Sequence, residues 1–247
     1  MLDLAFLDWL RDETERRWRD TAVPGPDGLA WQPGTRWRGG VTDSQLEIAE
    51  ATFDVRFPAV YRRFLRALHT PDPVLVGSAY GGRGSARIEG RHFPDWTGDV
   101  LTIATAMDWP ADGLLRAVED GRWHPGWGDR PRDARSRAVI VRRLVAAGPR
   151  LVPIARRRYL AAAPGADDGP VISMYGADVR VMAPDLRAGL LRELGLEDPD
   201  PARGQVSDQA PATDQAPASR PAPGPVPFWQ DVIDGLAWAP EVAGSRS

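Results

Sequence analysis

Three histidines, His69, His92 and His124, are the only side chains here whose ordinary pKa lies near neutrality. His124 stands between Trp123 and Pro125 and is the candidate general base, although no nearby carboxylate is spaced to orient it. Three histidines without cysteine make a histidine-rich metal site an unpromising reading. The absence of cysteine also removes disulfides, thiolate metal sites and cysteine nucleophiles. Every one of the 31 cationic side chains is arginine, so no lysine exists to serve a P-loop, a Schiff base or a kinase-type site. Gly77-Ser78 and Ile172-Ser173 lack the glycine-flanked pattern of a nucleophile elbow. Gly82-x-Gly84-x-x-Arg87 places arginine where a dinucleotide fingerprint needs its third glycine, which leaves residues 79 to 90 as a flexible surface loop. Asp167-Asp168 beside Gly169 reads as turn chemistry. The chain therefore offers no catalytic, metal or cofactor constellation, and no cofactor is expected.

The charge distribution points to binding instead. Between Arg130 and Arg158 lie ten arginines and one acid, Asp133, a local charge of +9 in a chain of net charge −3. A charge run is ordinarily a solvated face, but this one could dock an acidic protein surface. Nucleic acid is not expected, because aromatic and basic residues do not interleave and the chain is acidic overall. Arg130, Arg132, Arg135 and Arg137 are the candidate contacts, predicted to be exposed. Trp31 and Trp37, set among arginine and glycine, are candidate exposed anchors of the kind that form hot spots.

The elements that must hold these residues centre on 151 to 182. Leu151-Val152-Pro153-Ile154, Pro170-Val171-Ile172-Ser173-Met174 and Asp178-Val179-Arg180-Val181-Met182 are short apolar runs parted by turn residues, which predicts an antiparallel meander. Ahead of it, residues 2 to 19 read as a helix with Arg16, Arg17 and Arg19 at its C-terminal end. Leu29-Ala30-Trp31 and Arg36-Trp37 are short extended pieces. Thr42 and Gln45 form a capping box for a helix lined by Leu46, Ala49 and Phe53. A second helix starts at Pro58, buries Tyr61, Phe64, Leu65 and Leu68, and stops at Thr70-Pro71-Asp72-Pro73. Leu101-Thr102-Ile103 reads as a strand and Asp120-Gly121 as a hairpin turn. Residues 132 to 147 form a helix with Ala138, Val141, Leu144 and Val145 inward, and 184 to 194 a closing helix ended by Gly195. Residues 198 to 227, rich in Pro, Ala, Asp and Gln, read as a disordered linker, after which Phe228, Trp229, Val232, Ile233 and Leu236 form an apolar stripe.

Thr42-x-x-Gln45-Leu46-x-x-Ala49-Glu50 followed by Phe57-Pro58-x-x-Tyr61-Arg62-x-Phe64-Leu65 resembles the paired helices that open the SUKH superfamily, the Smi/Knr proteins. Trp123-x-Pro125-x-Trp127-Gly128-x-Arg130-Pro131, Arg158-Tyr159-Leu160, Gly169-Pro170-Val171-Ile172-Ser173-Met174-Tyr175 and Asp178-Val179 resemble its bacterial branch in the same order, so that the likeness runs from Trp31 to Gly195. The family holds fungal cell-wall-assembly regulators and bacterial immunity proteins against polymorphic toxins. The resemblance implies an α+β fold, a central antiparallel or mixed sheet flanked by helices.

The expected organisation is an N-terminal helix and connector over 1 to 30, a SUKH-like domain over 31 to 197, the linker over 198 to 227, and a segment over 228 to 247 that packs back on the domain. The resemblance further implies a non-catalytic protein-binding role, with an immunity protein facing a toxin domain as its sharpest form. A regulatory scaffold and an uncharacterised enzyme using His124 are the alternatives. Acids near the N-terminus do not suit a signal peptide, and no apolar run reaches membrane-spanning length, so a cytoplasmic protein without membrane contact is expected. Nothing in the sequence specifies an oligomeric state.

Overall fold

The apolar run at the centre forms a four-stranded meander, β7 (Val152–Ala155), β8 (Arg158–Leu160), β9 (Val171–Tyr175) and β10 (Asp178–Ala183). All its pairings are antiparallel, in the order β10-β9-β8-β7. Successive residues point to opposite faces, and across β7, β8 and the start of β9 both faces are covered, whereas β10 exposes Arg180 and Val181. Val152, Ile154, Leu160 and Val171 enter one apolar cluster, while Tyr159, Ile172, Met174 and Val179 enter another. That explains why these strands read as continuous apolar runs, since alternation appears only where one face meets water. The computed structural model describes residues 2–81, 84–163, 165–176, 178–200 and 228–234 of this α+β chain.

On the first face lie α1 (Leu4–Arg17), α2 (Asp43–Thr52), α3 (Ala59–Ala67) and α6 (Leu186–Leu194). The N-terminal helix belongs to this core through Phe6, Leu7 and Leu10. Thr42 and Gln45 make the expected capping box on α2. Pro58 serves as the N-cap of α3 rather than its first residue. Glu50 ties the two helices together: its carboxylate accepts from the Phe57 amide at 2.7 Å and from Arg62 Nη1 at 2.8 Å. Two further sheets adjoin: a second four-stranded one, β1 (Val23–Pro24), β2 (Leu29–Trp31), β5 (Leu75–Gly81) and β6 (Gly84–Gly90) in the order β1-β2-β5-β6, and the pair β3 (Arg36–Gly39) with β4 (Leu68–Asp72).

Several local expectations change. Residues 79 to 90, read as a loop, lie largely within the paired strands β5 and β6. The segment after α3 is the strand β4, begun at Leu68 directly on leaving the helix. Leu101-Thr102-Ile103 opens α4 (Val100–Glu119), not a strand. Asp120-Gly121 closes that helix: Gly121 takes φ 94°, and the amides of Gly121 and Arg122 donate to the Val118 and Ala117 carbonyls. The same dipeptide that nucleates a hairpin also supplies the left-handed residue of a helix stop.

The second face is covered by α4, α5 (Ala134–Ala147) and α7 (Trp229–Asp234), which contribute Leu114, Ala117, Val118, Val141, Trp229 and Val232. α4 approaches the sheet closely at Gly113, where a Cβ would meet the Gly176 carbonyl at 2.8 Å. Pro110 lies inside α4 and cannot donate to the Ala106 carbonyl four residues back. Tyr159 Oη donates to that carbonyl at 2.9 Å, so the meander repairs the gap. Tyr159→Phe should cost about 1 kcal/mol, the usual net value of one such bond. Chemical denaturation measures it, and an unchanged midpoint would mean that Ala106 is satisfied some other way.

Residues 228–234, the described part of the expected C-terminal segment, pack on the domain through α7. Trp229 and Val232 are fully buried, and Trp229 Nε1 donates to the Pro149 carbonyl at 2.8 Å. Phe228 lies against Gly148 and stacks on Trp127 with ring centroids 6.4 Å apart. The expected linker between 201 and 227 and the end of the stripe at Leu236 lie outside the described residues. Trp229→Ala should destabilise the protein by about 3–5 kcal/mol through the cavity it leaves, and deleting residues 226–247 should lower Tm at least as much. A truncated protein melting with the full chain would show that this contact contributes nothing.

Candidate functional site

Trp31 and Trp37 are core residues, 2% and 7% exposed, and not surface anchors. Trp31 stacks on Trp18 at 4.4 Å, and Trp37 Nε1 donates to Thr14 Oγ1 at 2.8 Å. Two indoles from the short strands β2 and β3 thereby bind α1 to the fold. Their Arg/Gly surroundings in sequence suggested exposure, but Trp18 and Thr14, the residues that cover them, come from a different stretch of chain.

The histidines are engaged in the fold. His69 Nε2 accepts from the Trp96 amide at 3.0 Å, which leaves the ring proton on Nδ1. Its Nε2 also lies 3.6 Å from Asp95 Oδ1. Asp95 accepts in turn from Thr97 and from Arg38 Nη1, and Arg38 Nε reaches Asp72 at 2.7 Å. This belt joins β3, β4 and the 91–97 segment. Burial pushes the His69 pKa below the usual histidine value, a shift that Arg38 and Arg91 deepen and Asp95 opposes. His92 Nε2 lies 2.9 Å from Glu193 Oε2, and Arg158 Nε donates to Glu193 Oε1 at 2.6 Å. Burial alone would raise the Glu193 pKa, but His92 and Arg158 together hold it below the ordinary glutamate value. His124 Nδ1 accepts from the Gly126 amide and caps its own short turn, Pro125–Trp127.

The ten arginines of the basic segment divide by what they touch. Arg158 is half-buried and pairs with the buried Glu193, Arg150 pairs with Asp54 at 2.8 Å, and Arg156 stands 3.9 Å from Asp27. Arg137 is half-buried, its guanidinium donating to the carbonyls of Pro131 and Arg132 just ahead of α5. Arg130 is half-buried as well. These two were expected to be exposed contacts; both are half-buried, and the Arg137 side chain turns back onto the chain just ahead of α5. Arg132 and Arg135 are exposed as expected.

Arg142 and Arg143 are also exposed and complete the face. On α5, Arg135, Val139, Arg142 and Arg143 fall at i, i+4, i+7 and i+8, a single stripe, with Arg132 just before its first turn. Among the described residues none of these four arginines makes an ion pair. Val139 is 58% exposed within the stripe. The opposite side carries buried Val141 and half-buried Ala138, Leu144 and Val145. Arg142 and Arg143 were missing from the expected contacts, although the helical period alone places them beside Arg135.

Two clefts flank the meander. One, about 830 Å³, lies between the α2–α3 junction and residues 162–167. The other, about 470 Å³, lies between the start of α4 and the β7–β8 hairpin. That hairpin holds Arg157 at φ 53°, a left-handed conformation that costs a non-glycine residue roughly 1–2 kcal/mol. Its guanidinium stacks over Tyr175 at 4.6 Å and Trp109 at 5.5 Å. Among the described residues no group of three or more His, Asp or Glu side chains is placed to hold a metal ion, and no helix is long and apolar enough to cross a membrane. No family model, curated protein or solved structure matches the chain.

The belt around His69 generates a pH prediction. Because its folded pKa is depressed, protonation favours the unfolded chain, so this contribution is complete above about pH 6.5 and is lost as pH falls below it. Glu193 and Asp95, also depressed, extend the loss to lower pH, through the carboxylate range. Stability measured from pH 7.5 down to 5 should therefore decline, and His69→Gln, which keeps an acceptor for the Trp96 amide, should flatten that slope. Equal slopes in the two proteins would show that His69 is not the responsible group.

Proposed function

We propose that this protein is a non-catalytic binding module of the Smi/Knr type that docks an acidic protein surface on the exposed face of α5. The observation that carries this reading is the stripe of Arg135, Val139, Arg142 and Arg143 with Arg132 beside it, exposed and lacking carboxylate partners among the described residues. Like charges held together without counterions repel, and an acidic partner relieves that repulsion on contact. Val139 supplies an apolar centre inside the charged ring, the arrangement that interfaces favour.

Other features support the class. The residues of the family-like motifs hold structural positions: Thr42 and Gln45 cap α2, Glu50 joins Arg62, and Tyr61 lies in the core. His69 and His124 each accept from a backbone amide, and His92 Nε2 lies 2.9 Å from the buried Glu193 carboxylate, which favours a binding role over the enzyme alternative. An immunity protein against a toxin domain, acting in the cytoplasm, is the sharpest form of the reading. A regulatory scaffold is its broader form.

The test replaces Arg132, Arg135, Arg142 and Arg143 with Gln, which preserves helix propensity. Binding to a toxin domain encoded beside this protein is then measured by calorimetry at low and high salt. Wild-type affinity should fall as salt rises; the variant should bind at least about tenfold more weakly and with little salt dependence, at unchanged Tm. A variant that binds like wild type removes α5 from the interface. A wild-type protein that neither binds nor neutralises such a domain removes the immunity role and leaves the scaffold reading.

A further inference from the structure

The cleft between α4 and the β7–β8 hairpin is lined by no residue of α5. Its lining is apolar at Phe93, Ile103 and Ala106, with Leu101, 84% exposed, on the α4 side. Three guanidinium groups, Arg91, Arg156 and Arg157, face two carboxylates, Asp27 and Asp99. Arg91 is committed to Asp72 at 3.0 Å, and Arg156 stands near Asp27. Arg157 has no carboxylate within ion-pair distance among the described residues. It is instead held between two aromatic rings, Tyr175 and Trp109, and Arg116 also lies 5.0 Å over Trp109.

The backbone at Arg157 makes this arrangement informative. A tight turn with a left-handed position ordinarily uses glycine there, because glycine adopts positive φ without strain. Arginine at φ 53° gives up that ease and holds a guanidinium at the edge of an apolar cleft. Strain of this kind concentrates where a side chain serves a ligand.

We propose that the cleft binds a small organic monoacid, its carboxylate on Arg157 and its apolar body along Leu101, Ala106 and Trp109. Arg157 offers a single guanidinium without a carboxylate of its own among the described residues, which suits a single carboxylate better than a phosphate dianion. A volume of about 470 Å³ fits an aryl- or alkyl-carboxylic acid and lies within the usual range for small-ligand sites.

Calorimetry on the full chain with 3-phenylpropionate, its neutral amide and inorganic phosphate tests this. The acid should bind saturably, with the amide and phosphate each at least about tenfold weaker, the weight of one charge-assisted contact. Arg157→Gly should weaken the acid by a similar factor without lowering Tm, because glycine relieves the turn while removing the guanidinium. The Gln variants on α5 should bind the acid as wild type does, which keeps this result separate from the protein-docking reading. No saturable binding of the acid by wild type, or equal binding by the Arg157→Gly protein, overturns the proposal. Phosphate binding as tightly as the acid would overturn the apolar half of it.

Discussion

A single constraint organises the molecule: the β7–β9 part of the meander has to be apolar on both faces. An antiparallel sheet commonly leaves one face to water, and each strand can then alternate polar with apolar residues. Here Tyr159 and Leu160, or Val171 and Ile172, are neighbours in sequence and enter different cores. A register slip of one residue would exchange the two sets and place Tyr159 where Leu160 packs. Both covering layers are therefore obligatory, and neither is contiguous in sequence. The first needs the N-terminal helices together with α6; the second needs α4, α5 and a segment from beyond residue 227. The chain returns at Trp229 because the second face is incomplete without it.

Polar groups inside so apolar a structure must find partners, since an unmade hydrogen bond in a low-dielectric interior costs more than a made one contributes. The aromatic residues meet this requirement with their polar edges. Trp37 donates to Thr14, Trp96 to the Tyr61 hydroxyl, Tyr61 to the Pro153 carbonyl, and Trp229 to the Pro149 carbonyl. Tyr159 answers the carbonyl that Pro110 leaves open. Ion pairs do the same at the seams, with Glu50–Arg62 between helices and Arg38–Asp72 across β3 and β4. Two side chains that could have suggested chemistry lie at such seams, His69 accepting from the Trp96 amide and His92 standing against Glu193.

Features set by near neighbours are legible in the amino-acid sequence alone. The capping box at Thr42, the stop at Gly195, the inward face of α5 and three of the four meander strands follow from residues within a few positions of one another, whereas β8 is not among the expected strands. What failed depended on distant residues or on signals with two meanings. Leu-Thr-Ile at 101–103 has strand propensity, yet the 20-residue helix that begins at Val100 overrides it. Asp120-Gly121 fits a hairpin and a helix stop equally well, and only the preceding helix decides between them. The exposure of Trp31 and Trp37 could not be judged from their neighbours, because α1 covers them. For the basic segment, net charge was legible but allocation was not: local sequence cannot say that Arg158 finds Glu193, 35 residues away, or that Arg137 folds back on Pro131.

That allocation separates structure from function in a chain with one kind of cation. An arginine required by the fold is identified by its partner, whether a buried carboxylate, a carbonyl or an acid across a seam. Once these are assigned, two sets in the 130–158 segment lack carboxylate partners among the described residues: the stripe on α5, and Arg157 in its left-handed turn. Both run against a local preference, one against charge repulsion and the other against backbone geometry. A natural sequence is expected to agree with its fold at every level, and departures from that agreement concentrate where a site must serve something besides folding. The two departures differ in kind as well as place. A broad charged face with one exposed valine matches the extended surface of a macromolecule, whereas a single guanidinium clamped by aromatic rings at an apolar cleft matches one small acid.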